Sequence, residues 1–235
     1  MRVKLEPKRF KRLLESCYLK PLIDVATMKF EPKGVLISDI YMDCIVVHMK
    51  LKEKFFLEYE SKKEEIISIP NIILDRLGWG FDSESIEFYT KGDNLYMKGE
   101  KDFFITEQEN SEIKKLPFTL KEGEYGVLPE KLKLESGVRI NAKDLKLPPG
   151  EEYIFELKDK KLSVSISDSG NFERDFKIKP LFDKDIRVSL RGDYYDSIVN
   201  NLDGDVYFML NQHLVVFSEK RKDYTKTYIL TTMSE

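Results

Sequence analysis

The sequence predicts an α+β fold built from two similar domains, each with antiparallel sheets and helices packed on one face. Three observations predict it: a helix-plus-strands unit that recurs four times, hairpin turns between alternating segments, and a mixed-charge stretch midway along the chain. The 235 residues suffice for two small domains with cores of their own, and 41% hydrophobic with 34% charged residues describes a folded chain.

The second unit is the clearest. "IPNIILDRLGW" sets Ile69, Ile72, Ile73, Arg76 and Leu77 at helical spacing, with Pro70 suited to a first helical turn. Strand-like "SIEFYT", the turn "KGDN" and the strands "LYMKG" and "DFFIT" follow. The third unit runs "INAKDLKLP", "YIFEL", turn "KDKK", "LSVSIS", turn "DSGN" and "FERDFKI". The fourth opens on "LRGDYYDSIVNNL", where Tyr194, Ile198 and Leu202 share a helical face, and continues through "DVYFML", "HLVVFS" and "YTKTYIL". The first opens on "EPKRFKRLLESCYL", before "VATMKFE", turn "PKG", "VLISD" and "CIVVHMKL". Units one and two make an expected domain 1–106 and units three and four an expected domain 137–235. Residues 107–136 then form a connector or a partly stranded crossover.

Charge is uneven. Residues 1–33 hold nine Lys/Arg against four Asp/Glu, whereas the remainder holds 30 against 38. A basic opening segment on an acidic protein suits contact with phosphate through one face, and equally a solvated helix. The rarity of glutamine, found at Gln108 and Gln212, together with abundant Lys and Glu, resembles thermophile composition. No apolar run reaches bilayer length, and the opening lacks a signal-peptide core, so a cytoplasmic protein is expected. Cys17 and Cys44 read as reduced, packed thiols.

Enzyme signatures are missing: there is no GxxxxGK[ST], GxGxxG, GxSxG or HExxH. His48 and His213 sit singly in strand-like runs, no Cys/His cluster suggests zinc, and the carboxylates scatter over turns. A protein that is not an enzyme, with no metal and no cofactor, is expected. Phe88, Phe155, Tyr207 and Phe208 read as core rather than as platforms for stacked bases.

These segments resemble the proliferating cell nuclear antigen (PCNA) family of DNA sliding clamps, in a divergent archaeal, viral or plasmid form. "RFKRLLESCYLKPLIDVATMKFEPKGVLISD" is similar to the family's first helix and following strands, and "GDNLYMKGEKDFFIT" to the end of its first domain. "LPFTL" resembles a phrase near the archaeal connector. "YIFELKDKKLSVSISDSGNFERDFKI" and the closing "TKTYIL" resemble the second domain and the near-terminal "YYLAP".

The resemblance implies the DNA clamp (processivity) fold, with helices on the inner face of a ring, usually a homotrimer. Such a ring encircles double-stranded DNA without reading sequence, and docks DNA polymerase, a clamp loader and other replication and repair proteins. It would act in the cytoplasm at the nucleoid, or in the nucleus of a eukaryotic host. It also implies DNA contact through Lys8, Arg9, Lys11, Arg12 and Lys20, with Arg76, Lys143, Lys146 and Arg191 in the other units; surface solubility is the other reading of each.

A partner-peptide pocket would draw on Ile37, Ile40, Met42, Ile45, Leu128, Tyr228, Leu230, Thr231 and Thr232, some of which also suit a core. Subunits would join edge to edge through Phe103, Phe104 and Ile105 of one and Phe172, Phe176 and Ile178 of the next. Three departures stand out. Pro148 and Pro149 cut the third helix short, Asp193 and Asp196 make the fourth poorly basic, and "TYILTTM" lacks the family's proline. A clamp-fold adaptor or inhibitor that closes no ring, or an unrelated β-rich binding protein, are the alternative readings.

Overall fold

The computed structural model describes residues 1–19, 22–73, 83–99, 103–107, 112–116, 118–167, 172–176 and 178–233, with the backbone alone at 103–107, 179 and 183. The chain forms two compact units that divide between Leu116 and Pro117; residues 42–46 count with the second unit and 221–225 with the first.

In the first unit, strands β1 (Arg2–Leu5), β5 (Glu58–Glu60), β7 (Ile86–Lys91), β8 (Asn94–Lys98) and β9 (Phe103–Glu107) make a sheet of order β5-β1-β7-β8-β9. Strands β2 (Val25–Glu31), β3 (Gly34–Tyr41), β4 (Ile45–Lys52) and β6 (Glu65–Pro70) run in the order β4-β3-β2-β6. The hairpin expected at "KGDN" is present: Lys91 pairs Asn94 across a turn at Gly92 and Asp93. Its glycine takes φ 60, as a two-residue hairpin loop requires.

Helix α1 (Pro7–Tyr18) starts with Pro7 at its first position and ends on Leu19 in a left-handed conformation, whose N–H bonds the Glu15 carbonyl. Its buried stripe includes Phe10, Leu13, Leu14, Cys17 and Tyr18. Phe10 packs on Phe88 of β7 with ring centroids 4.4 Å apart, Cys17 meets Met49 of β4, and the Tyr18 hydroxyl donates to the Ile69 carbonyl of β6 at 2.8 Å. One helix thereby closes the core between the two sheets of its unit.

The second unit repeats the plan. Strands β13 (Glu152–Lys158), β14 (Lys161–Ile166), β15 (Phe172–Phe176) and β17 (Ile186–Arg191) form the order β15-β14-β13-β17. Strands β12 (Ser136–Asn141), β16 (Lys179–Asp183), β18 (Asp205–Leu210), β19 (Leu214–Lys220) and β20 (Tyr224–Thr231) run β16-β12-β18-β19-β20. At "KDKK", Asp159 and Lys160 take φ 49 and 62, the mirror-image turn that suits twisted strands.

Within the expected connector, β10 (Leu120–Gly123) and β11 (Gly126–Pro129) form a small hairpin. Helix α2 (Ala142–Leu145) has four residues, stopping ahead of Pro148 and Pro149 as expected. Helix α3 (Gly192–Val199) buries Tyr194, Tyr195, Ile198 and Val199. Tyr195 does for this unit what α1 does for the first: its ring packs on Tyr153 and Phe155 of β13 and Phe217 of β19, and its hydroxyl donates to the Leu145 carbonyl. Gly192 admits no side chain, because a Cβ there would overlap the Gly150 carbonyl oxygen.

One expectation fails at the second unit of the repeat. Pro70 ends strand β6 opposite Val25 instead of opening a helix. A proline lacks the N–H that a ladder needs, so it fits a strand end as well as a first turn. Ile72 and Ile73 are helical; Arg76 and Leu77 lie outside the described residues.

His48 on β4 is buried, and its Nδ1 has no hydrogen-bond partner among the described residues. Burial, with a smaller push from Lys50, lowers its pKa to about 4. Because the unfolded imidazole protonates near 6.5, its contribution to stability is full above that pH and falls as pH drops toward 4. The loss should run at about 1.4 kcal/mol per pH unit across that window. Urea denaturation between pH 7 and 5 should show this slope in the wild type and a flatter one in His48→Gln; equal slopes would contradict the assignment.

Candidate nucleic-acid interface

Burying one stripe of α1 against the sheets turns the opposite stripe to solvent. Lys8, Lys11 and Arg12 occupy that stripe and are exposed. Lys11 has a loose i,i+4 pair with Glu15 at 3.9 Å, whereas Lys8 and Arg12 have no ion pair among the described residues. Arg9 differs. It is half-buried, pairs Asp223, and places its guanidinium 4.0 Å from the centre of the Phe55 ring. That arrangement commits Arg9 to the packing of its own unit, a role its position in a basic run did not reveal. Lys20 and Arg76 lie outside the described residues.

In the second unit, the Asn141 side chain accepts the Lys143 N–H and caps the short α2, leaving Lys143 and Lys146 exposed. The outward face of α3 is acidic. Asp193 accepts the Tyr194 N–H at 3.0 Å and pairs Arg191 at 2.8 Å, and the Arg191 guanidinium lies over the Tyr194 ring. The expected cation at Arg191 is therefore matched by a carboxylate beside it. Asp196 accepts the Tyr153 hydroxyl at 2.9 Å. Burial pushes its carboxyl up, the Tyr153 hydrogen bond opposes that, and Asp193 adds to it.

Strand β9 ends its sheet, pairing β8 in the register Met97 to Phe104 and Tyr96 to Ile105. Strand β15 ends its own sheet, pairing β14 from Leu162 to Phe176 through Ile166 to Phe172. Each leaves one row of backbone donors and acceptors unmatched within its sheet. The side chains of Phe103, Phe104 and Ile105 lie outside the described residues. Phe172 and Ile178 are half-buried. Phe176 is 8% exposed, sits opposite the buried Leu162 and has Arg174 over its ring, so its side chain packs within its own unit.

An open groove of about 630 Å³ in the second unit is lined by Arg187, Ser189, Gln212, His213, Thr232 and Met233. Backbone bonds from Thr232 N–H to the His213 carbonyl and from Met233 N–H to the Ser189 carbonyl, both 2.9 Å, bring these segments together. Among the described residues, no group of three or more His, Cys, Asp or Glu gathers as a metal site, and no helix is long and apolar enough to cross a membrane.

No family model and no curated protein sequence matches the chain. Solved structures do. The proliferating cell nuclear antigen of Entamoeba histolytica superimposes with a TM-score of 0.81 at 13% identity, over 99% of this chain and 98% of that one. A chain of the PCNA2–PCNA3 complex of Sulfolobus tokodaii gives 0.81 at 15% identity over the whole of both. The chain has the PCNA clamp fold.

Within this PCNA fold, the residues expected to form a peptide pocket divide sharply. Ile37, Ile45 and Tyr228 are 0% exposed and Leu230 is 1%, so they fill the interior and offer a partner no wall. Met42 is 69% exposed, and Ile40, Leu128, Thr231 and Thr232 are partly exposed. Only Thr232 of the expected set lines the groove; Arg187 and Ser189 come from β17, and Gln212 and His213 from the turn between β18 and β19. Tyr228→Ala should therefore cost about 3–5 kcal/mol of stability, as deletion of a buried aromatic does. Denaturant unfolding of the variant checks this; unchanged stability would place Tyr228 at the surface.

Proposed function

We propose that this protein is a DNA sliding clamp: a non-enzymatic subunit that closes, with further copies of itself, into a ring around double-stranded DNA and docks a DNA polymerase, a clamp loader and other replication and repair proteins. The whole-length PCNA fold carries this reading, since both units and the segment joining them are matched. Two further features support it. The exposed stripe of α1 offers Lys8, Lys11 and Arg12, and strands β9 and β15 end their sheets, as edge-to-edge joining of copies requires. A ring retains DNA by topology, so its attraction to phosphate need only be weak, blind to sequence and sensitive to salt. The cytoplasm, at the nucleoid, is the proposed place of action.

Alanine at Lys8, Lys11 and Arg12 tests the phosphate assignment. These side chains are exposed, so circular dichroism should not change, while stimulation of a polymerase should fall, and fall further as salt rises. The log–log salt dependence of duplex binding should lose roughly 0.9 in slope for each phosphate contact removed. Stimulation unchanged across a salt series would contradict the assignment.

A further inference from the structure

We infer that the β10–β11 hairpin is a flap that opens and closes as one piece over the sheet of the second unit, with the Tyr125 ring as its catch. The inference goes beyond the clamp reading and stands whether or not copies of the chain close a ring. Every residue it uses belongs to the second unit.

The hairpin is tight. Residues Leu120 to Gly123 pair with Pro129 to Gly126 around Glu124 and Tyr125, and Gly126 takes φ 117, open to glycine alone at little cost. The Glu130 N–H donates to the Thr119 carbonyl at 2.8 Å and closes the base. Two strands by themselves are only marginally stable in water, so the hairpin depends on what it lies against. Among the described residues, β10 pairs with β11 alone and leaves its other edge unmatched. Lys121, Glu122, Gly123 and Glu124 are exposed, whereas Val127 and Pro129 are buried where β11 runs beside β19.

The surface beneath is the sheet face turned away from the core of the unit. Phe208 packs inward on Phe155 and Phe217, so its neighbours Tyr207 and Met209 point to the opposite side. Register adds Val216 beside Met209, and sets Phe182 and Met209 on either side of Gly137. The Tyr125 ring meets this face edge-on, its centroid 5.7 Å from that of Phe182 and 5.3 Å from that of Tyr207. From the end of β19, Lys220 Nζ donates to the Gly123 carbonyl at 2.8 Å and the Glu124 carbonyl at 3.4 Å. Both holds act at the tip. A short hairpin gripped there, with few buried side chains, opens at lower cost than the sheet it lies on. Its two strands share one ladder, so they leave together, baring Phe182 and Tyr207.

Hydrogen–deuterium exchange of the full-length protein, read by mass spectrometry, tests this on wild type, Tyr125→Ala, Tyr125→Phe and Lys220→Met. In wild type, peptides from 118–130 should exchange ahead of those from β18 and β19. Loss of both ring contacts in Tyr125→Ala should speed exchange across 120–129 by about tenfold and leave β18 and β19 unchanged. Tyr125→Phe keeps the ring and should retain wild-type rates. Should Tyr125→Ala prove unstable, Lys220→Met, at an exposed residue, must show the same selective speeding. Unaltered exchange of 120–129 in Tyr125→Ala would overturn the catch. Protection lost from β18 and β19 together with the hairpin would make Tyr125 part of the core of its unit, and would overturn the flap.

Discussion

Burial of a helix stripe against two sheets is the constraint on which the rest of each unit depends. A sheet is apolar on one face, and α1 and Tyr195 of α3 supply the matching apolar surface. Phe10, Cys17 and Tyr18 reach both sheets of the first unit; Tyr195 reaches both sheets of the second. Once those stripes are buried, helical geometry alone decides which side chains face outward. The outward charge of the two helices then follows from the residues on the remaining stripe, basic on α1 and acidic on α3.

The exit of α3 is held by a second device. Lys226, 7% exposed, pairs the fully buried Glu219 at 3.1 Å and donates to the Asn201 carbonyl, while Glu219 also accepts the Asp203 N–H. Two strands of the sheet thus grip the turn that follows the helix. A buried pair of this kind adds little net stability over an apolar pair, but removal of one partner strands the other charge. Its effect is positional: it sets where α3, and with it Asp193 and Asp196, emerges from the unit.

Much of the fold was legible because hairpin chemistry is local. The turns at Gly92–Asp93 and Asp159–Lys160 and the short α2 before Pro148 each follow from residues within a few positions. Pro70 was misread because a proline serves a strand end and a helix start equally. Site residues were harder, since their fate is set by distant partners. Arg9 looked like its neighbours until Asp223 and Phe55 engaged it, and Tyr228 and Phe176 suited a surface contact or the core equally until burial decided for the core. The groove around Thr232 and His213 has no sequence signal at all, because it depends on β17, the β18–β19 turn and the residues after β20 lying side by side.

The central claim is that this chain closes a ring through its terminal strands, and the mass of the assembly in solution tests it most directly. Light scattering on the purified full-length protein should return three times the 27.6 kDa of one chain, and the value should fall toward one chain on dilution below the closure affinity. A stable 27.6 kDa monomer at high protein concentration would contradict a self-closing clamp.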